Sequence, residues 1–352
     1  MPLSIQEAAV YASREHFCKI GGRFVIILRY YPYMLTYRTF RNTDPPTLAA
    51  LWRSRAGQPG LLQPVSTDLL EQLIFAKTYF DYEGLVLAFD DARPVGFAHA
   101  GFGPNADGTR LSNEVGITCM VLVRSDCAEA EVAAGLLEHC ENYLRSRGAK
   151  VFYGGSPPSL CPFYLGLYGG SELPGVLDSD VIARQTFAAS GYQEVERSVV
   201  MRHELGGFES QIDRRQMQVR RQMIVEATAD APTQTWWEAC TIGGFDLARF
   251  DLVPRGGGTV VATALFRSKE PSGTATVGRA MGLLSLSVDE SYRRRGLAVF
   301  LLSEAFRQFL RQGIAHVEVQ TLETDHISRK TFQKLGFQQI EQGGVWRKVV
   351  DG

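Results

Sequence analysis

Three consecutive arginines and a glycine, Arg293-Arg294-Arg295-Gly296, stand between an apolar run ending at Val288 and a long amphipathic segment beginning at Leu297. Gly296 and Ala298 leave room for close backbone approach. The first N–H groups of a helix starting here have no intrahelical partner, and the helix dipole adds partial positive charge at that end. With the arginines contributing full charges, the chemistry offered is the grip of a diphosphate. The spacing is neither Gly-x-Gly-x-x-Gly nor a Walker loop, since it lacks the Lys-Ser/Thr of the latter. A short basic run alone is most often a solvated turn; the flanking Val288, Gly296 and Ala298 favour the anion site instead.

The elements that must position this loop emerge from an internal repeat. Asp180-Val-Ile-Ala-Arg-Gln-Thr-Phe-Ala-Ala-Ser-Gly-Tyr-Gln193 aligns without a gap on Asp325-His-Ile-Ser-Arg-Lys-Thr-Phe-Gln-Lys-Leu-Gly-Phe-Gln338, an offset of 325 − 180 = 145. Upstream, Leu136-Leu137 and Gly148 align on Leu301-Leu302 and Gly313 at an offset of 301 − 136 = 165, so the first copy carries 20 extra residues, between about 154 and 179. Each copy reads as a hairpin (85–89 with 95–100; 245–253 with 259–266) and an apolar strand (115–123; 280–288). A helix comes next (about 131–147; 296–312), then a second strand (149–153; 315–322) and a helix opened by Asp180 or Asp325 and closed by Gly191 or Gly336. Strands alternating with helices predict two tandem α/β domains of mixed sheet, at 35–205 and 206–352.

At this point the chain resembles the GNAT superfamily of acyl-CoA-dependent N-acyltransferases. Its Arg/Gln-x-x-Gly-x-Gly/Ala signature is matched by Arg293-x-x-Gly296-x-Ala298, preceded by Leu286-x-Val288 and followed by Val319-x-Thr321-x-x-x-Asp325 through Gly336-Phe337. Through the repeat the resemblance covers about 35–350, and the two-copy layout is similar to that of mycothiol synthase and other tandem members. The resemblance implies a splayed mixed sheet with an acyl-CoA, acetyl-CoA foremost, wedged between its central strands. It implies contacts from Leu286, Val288, Arg293, Arg294, Arg295, Gly296, Leu297, Ala298 and Asp325. It implies N-acyl transfer, with acetyl expected, to a small-molecule or peptide amine. Asp325 reads as an N-cap sooner than as a catalyst, and Lys330 and Arg329 read equally as reaching the nucleotide phosphates or as a solvated face.

The first copy departs from this pattern. Ala128-Glu129-Ala130-Glu131 occupies the place of the three arginines and the glycine. A like charge ~4 Å from a phosphate costs about 1 kcal/mol even in water, so this copy, degenerate as a coenzyme site, is expected to serve as scaffold and as part of the acceptor cleft.

For the transfer itself, deprotonating an amine of pKa ~10.4 at pH 7 costs about 4.6 kcal/mol, whereas a thiol of pKa ~8.5 lies only about 2 kcal/mol from its thiolate. A general base therefore matters more than an acid. The tyrosine proposed as acid in many members is replaced by Phe332, and by Phe187 in the other copy. Glu318, Glu323 and His316 are candidate bases, and Ser287 with Ser285 are the polar side chains of the 280–288 strand. The extra segment supplies Tyr164, Tyr168 and Glu172 as candidate acceptor-binding residues, set against a packed surface loop. Backbone amides near Leu286 to Val288 would polarise the thioester carbonyl. No Cys or Ser sits in a nucleophile elbow, which favours direct attack in a ternary complex.

Composition bounds the rest. The chain has 352 residues, 37 basic and 38 acidic, for a net charge of −1, so no global positive field recruits nucleic acid or anionic lipid. Arg214, Arg215, Arg220 and Arg221 read as a linker-helix face. Six cysteines, at 18, 119, 127, 140, 161 and 240, show no Cys-x-x-Cys pairing, and a reducing cytoplasm fits them. The histidines have no metal-ligand spacing, so no metal is expected. Residues 1–34 differ in character from the rest of the chain, read neither as signal peptide nor as anchor, and leave Met34 as an alternative start. The competing functional readings are a CoA-binding sensor or interaction module that has lost turnover, and an RNA-binding adaptor.

Overall fold

Strand 280–288 changes its burial pattern halfway along. Ala280–Leu283 are buried on both faces and Leu284–Val288 alternate between half-buried and exposed, as happens when a strand enclosed in a sheet loses the neighbour on one side. The computed structural model describes residues 14–20, 23–29, 35–157, 160, 162–209, 213–269 and 279–350; Met34 and Cys161 lie outside them.

The described residues open with a two-stranded hairpin, β1 (Arg14–Ile20) and β2 (Arg23–Arg29). The first copy then runs β3 (Leu35–Thr39), α1 (Pro45–Arg53), α2 (Thr67–Leu70), β4 (Leu85–Asp90), β5 (Arg93–Pro104), β6 (Leu111–Val123) and α3 (Glu129–Ser146). It continues through β7 (Val151–Gly154), the short β8 (Val176–Leu177), α4 (Val181–Ala189) and β9 (Gln193–Glu204). A connecting helix, α5 (Arg214–Gln222), leads to the second copy. This comprises β10 (Met223–Ala229), α6 (Trp236–Thr241), β11 (Leu247–Pro254), β12 (Ala262–Ser268), β13 (Ala280–Val288), α7 (Leu297–Arg311), β14 (His316–Leu322), α8 (His326–Lys334) and β15 (Gln338–Val349). The repeated elements expected from the sequence are present in both copies, with ends shifted by a few residues.

All strands from β3 onward join one 13-stranded sheet in the order β10-β11-β12-β13-β14-β9-β15-β7-β6-β5-β4-β3, with β8 beside β15. Among the described strands, only β13/β14 and β6/β7 pair in parallel. The two copies exchange their last strands: β9, from the first, lies on β14 of the second, and β15 lies on β7 of the first. The exchange obeys the repeat. Gln193 pairs with Arg347 and Gln338 with Arg202, two equivalent pairs under the 145-residue offset, so a local two-fold axis passes between β9 and β15. The outer pairings match likewise, Met201 with Val319 and Trp346 with Gly154.

Helical spacing makes each copy's core. Val132, Leu136, Leu137, Cys140 and Leu144 of α3 pack with Phe152 and Phe187, and Leu301, Leu302, Phe306 and Phe309 of α7 with Phe250 and Phe266. Asp180 and Asp325 cap α4 and α8 by accepting N–H bonds from Ala183 and Ser328, and Gly191 and Gly336 end them at φ 82° and 89°. The other face of the first copy's sheet is covered by α1, the 61–80 region and the 160–177 segment. The corresponding face of the second copy has a small core of Ala231, Phe245 and Leu247, which leaves space between the copies.

The seam holds a buried charge. The Glu318 side chain, on β14, has no exposure and its Oε1 accepts from Arg202 of β9 at 2.7 Å and from Lys269 at 2.7 Å. Burial alone would raise its pKa, but the two cations hold the carboxyl below its ordinary value. Such a pair is costly to break because the partners lose their counter-charge. Glu318→Gln is expected to lower unfolding stability by about 3 kcal/mol, read by denaturant titration at pH 7. Because the folded-state pKa is depressed, the contribution is present above pH ~4.3 and lost as pH falls through the lower folded value. The gap between parent and variant should therefore narrow in acid.

Candidate active site

The turn from β13 into α7 is built residue by residue for an open helix end. Asp289 accepts the Ser291 N–H and closes a 3-10 turn over Glu290–Tyr292. The chain then passes through Arg294 at φ 60° and Gly296 at φ 81°, the left-handed region that favours glycine. Gly296 is the N-cap of α7 and brings no side chain to it, so the first N–H groups of the helix stay uncapped. Arg293, Arg294 and Arg295 are exposed around it. Arg293 donates to the Val288 carbonyl at 3.2 Å and the Arg295 guanidinium lies 5.2 Å from the Tyr292 ring centroid. The N-terminal turn of α5 packs here: Gln216 Nε2 approaches the Gly296 carbonyl at 3.4 Å, and a Cβ on Gly296 would come within 3.0 Å of Arg215 Cδ. Arg215 is thus a fourth guanidinium at this end, a residue assigned from sequence to a linker face. Its signal was the doublet Arg214-Arg215, but nothing local said which way it would pack.

Beside this turn the sheet opens. β13 and β14 are paired only from Ala280–His316 to Leu283–Val319; beyond, β13 continues with β12 and β14 with β9. On the β12 side the register slips between Leu265 and Phe266, paired with Ser285 and Leu283, so Leu284 is the extra residue of a bulge. A bulge leaves its residue out of the ladder, and backbone groups facing the opened gap have no strand partner. Leu286 and Val288 pack against the core while Ser285 and Ser287 are exposed. The small, uncapped turn and its cations fit a phosphate-bearing ligand whose tail enters this gap.

The equivalent place in the first copy is filled by its own side chains. β6 and β7 also part, after Thr118–Gly154. Here the helix end is Ala128, without a side-chain cap, and Glu129 ion-pairs with Arg55 at 2.8 Å. Tyr164 and Tyr168 are 2% and 5% exposed. Tyr164 stacks on Trp52 and bonds to His99 Nδ1 at 3.1 Å, and Tyr168 accepts the Leu177 N–H at 2.8 Å. Leu61 and Leu62 pair with the same segment through Tyr168 and Leu167. Asp180, raised to about 6 by burial against the pull of the Ala183 N–H, lies beside Arg55 and Gln58.

Of the other candidates, Glu318 is in the seam between the copies, with His316 Nε2 at 3.8 Å from its Oε1. Glu323, its side chain 43% exposed, lies 3.8 Å from Arg197 at the end of β14. Asp325 is committed to Ser328 through both carboxylate oxygens. Phe332 and Phe187 are buried core residues. Arg329 Nη1 donates to the Glu323 carbonyl. No group of three His, Cys, Asp or Glu side chains that could hold a metal occurs among the described residues.

A cavity of about 700 Å³ lies between the copies. The first contributes the 103–108 turn, Glu114, Glu172 and Leu173; the second contributes Trp237 and Glu238 of α6, Leu265, and Leu284 with Ser285 at the bulge. Its charged lining residues, Asp107, Glu114, Glu172 and Glu238, are all carboxylates. Glu172, from the 154–179 insertion, is placed here, whereas Tyr164 and Tyr168 are not among the lining residues. Burial raises the Glu172 carboxyl to about 7, opposed in part by Arg267. Sequence reasoning missed Trp237 and Glu238, which reach the cavity because α6 docks on the first copy through a tilted Trp237–Tyr79 ring contact and a Lys77 bond to the Cys240 carbonyl.

Three comparisons bear on this geometry. The sequence profile described as Acetyltransferase (GNAT) family matches residues 215–337. A comparison with curated protein sequences finds no match. Among solved structures, a GCN5-related glucosamine N-acetyltransferase region of a fungal multi-domain GH3 β-N-acetylglucosaminidase superposes at TM-score 0.66 with 15% identity. That match covers 90% of this chain and 38% of the fungal one, so the chain spans well under half that protein's length. A tandem GNAT protein from the clavulanic acid biosynthesis pathway superposes at TM-score 0.62 with 13% identity, covering 90% and 99% of the two chains. A GCN5-related N-acetyltransferase from Sphaerobacter thermophilus gives 0.56 with 17% identity, covering 91% and 97%. Identities this low speak to fold alone. Residues 215–337 therefore match the acetyltransferase (GNAT) family model, and the chain as a whole is similar in fold to tandem GNAT proteins.

Proposed function

We propose that the protein is an acyl-CoA-dependent N-acyltransferase, moving an acetyl group from acetyl-CoA to an amine by direct attack in a ternary complex. The single observation that carries this reading is the uncapped α7 N-terminus, ringed by arginines and set beside the gap between β13 and β14. Acetyltransferases of this family use acetyl-CoA as co-substrate. In this reading the second copy binds it: the N–H groups of Leu297 and Ala298, with Arg293, Arg294, Arg295 and Arg215, hold the diphosphate. Leu286 and Val288 flank the acyl arm. Unpaired backbone N–H groups of β13 beyond Leu283 polarise the thioester carbonyl, which is the group the coenzyme contributes to the reaction. The first copy, about 35–205, shapes the acceptor side and does not bind coenzyme, because Arg55, Glu129 and the tyrosines occupy its equivalent gap. The acceptor amine enters through the inter-copy cavity, whose carboxylates attract an ammonium.

A sensor without turnover is the second reading, and Phe332 in place of a tyrosine acid is the observation that favours it. Acetyl transfer to a panel of amines separates the two. Turnover supports the enzyme, whereas binding without turnover supports the sensor.

Ligand at about a hundred times its dissociation constant stabilises a protein by roughly 2.7 kcal/mol, so acetyl-CoA should raise the melting temperature of the parent by several degrees. Gly296→Glu should abolish this shift, since its carboxylate would face the diphosphate and its Cβ would press on Arg215. As Gly296 lies at positive φ, Arg215→Ala serves as a second variant free of backbone strain, and it should weaken the shift without abolishing it. Glu129→Gln in the first copy should leave the shift unchanged. Equal stabilisation of all four proteins would count against the site. Binding should also weaken with added salt in the parent more than in Arg215→Ala, because one screened cation has been removed.

A further inference from the structure

We propose that Glu172, on the insertion found only in the first copy, is the general base that takes the proton from the acceptor ammonium during transfer in the second copy. The inference rests on the proposed acyltransferase function and goes beyond it. It assigns the reaction's proton acceptor to the copy that does not hold the coenzyme, and to a residue outside the repeat.

The geometry is that of a group placed at the right wall. Glu172 lines the same cavity as Leu284 and Ser285, where β13 bulges and leaves its parallel partner. It is held there by its own segment. Arg267, fully buried on β12, donates to the carbonyls of Gly170 and Ser171, and the Glu172 carbonyl accepts the Gly170 N–H. Gln320 of β14 donates to the carbonyl of Leu173 at 3.0 Å. Thus both ends of the tripeptide 171–173 are tied to the second copy's strands. The carboxyl itself forms no hydrogen bond or ion pair among the described residues, unlike Glu318, held by two cations, and Asp325, held by Ser328.

The groups that face it are few. From β12 comes Arg267, whose guanidinium also lies 4.6 Å from the Phe245 ring centroid. Asp107 and Glu114 of the 103–114 region and Glu238 of α6, which already accepts the Gln234 N–H, line the same cavity. β13 contributes Leu284 and Ser285, without charge. Burial outweighs the single cation and sets the carboxyl near neutrality, at about 7. A base works best when its pKa lies near the working pH, being then ionised in a large fraction of molecules and basic enough to accept a proton from an ammonium.

In the transfer step the ammonium gives one proton to the Glu172 carboxylate and becomes a neutral amine. The amine nitrogen forms its bond to the acyl carbon as the carbon–sulfur bond breaks, the electron pair leaving on sulfur. The second nitrogen proton passes to that sulfur, directly or through water, giving amide, thiol and protonated Glu172, which returns its proton to solvent. No side-chain acid is required, in keeping with Phe332.

The test combines a titration with kinetics. Carbon-13 NMR of the glutamate carboxyls, with Glu172 assigned by its loss in Glu172→Gln, should show one carboxyl titrating near 7 in the coenzyme-free protein. Titration in the ordinary range near 4.3 overturns the proposal. With acetyl-CoA and a panel of spermidine, glucosamine and a peptide with a free N-terminus, the parent's kcat/KM should rise with pH through a limb near 7. Glu172→Gln should lose that limb and fall about a hundredfold in kcat, while its acetyl-CoA thermal shift stays at the parent's value. Unchanged kcat and an unchanged limb overturn the proposal and leave the acyltransferase reading standing. Absence of turnover in the parent with every amine overturns both, and a lost thermal shift in Glu172→Gln assigns the residue a structural role instead.

Discussion

The reciprocal pairing of β9 with β15 is the constraint on which the rest of this molecule depends. Each copy places its last strand in the other's half of the sheet, and Gln193–Arg347 and Gln338–Arg202 are the same contact seen from either side of a local two-fold axis. A sheet edge left open at β14 or β7 would expose a row of unpaired N–H and C=O groups; the exchange closes both edges at once. It also carries polar contacts across the seam, Arg202 to Glu318 and Lys348 to Glu141. The two copies are consequently joined through one continuous sheet.

Within that symmetric frame the two gaps have opposite fates, and the reason lies in a few residues. Where the second copy has arginines and a glycine, the first has Glu129 and Glu131, and Glu129 ion-pairs with Arg55 from the turn after α1. Where the second copy's strands part and leave an opening, the first has an insertion whose Tyr164 and Tyr168 fill the space with buried rings. Duplication supplies two equivalent clefts, and local packing decides that one remains accessible while the other becomes core.

The same insertion links the first copy to the cavity between the copies. Its buried end consolidates the first copy and its far end, at Glu172 and Leu173, reaches the wall of the second copy's gap. Acyl transfer to an amine demands the removal of a proton far more than its delivery to sulfur, by several kcal/mol at neutral pH. Phe332 is buried in the core of the second copy, whereas Glu172 lines the cavity between the copies.

Much of this was legible along the chain. The repeat offset, the Asp caps and closing glycines of α4 and α8, the strand-turn-helix around Arg293 to Ala298 and the departure at Glu129 are local patterns. They are set by periodicity of 2 or 3.6 and by the backbone needs of glycine, and the structure shows these elements where the spacing placed them. The sequence also singled out Glu172, though together with Tyr164 and Tyr168, which turn inward instead. What local pattern does not encode is which distant segment meets which. That β9 leaves its own copy for β14, that Arg215 packs on Gly296, that α6 brings Trp237 and Glu238 to a shared cavity, and that Glu318 is buried between two cations are all decided by contacts between residues far apart in the chain. Periodicity reports which face of an element is apolar; only the closing of the whole sheet determines what that face is pressed against.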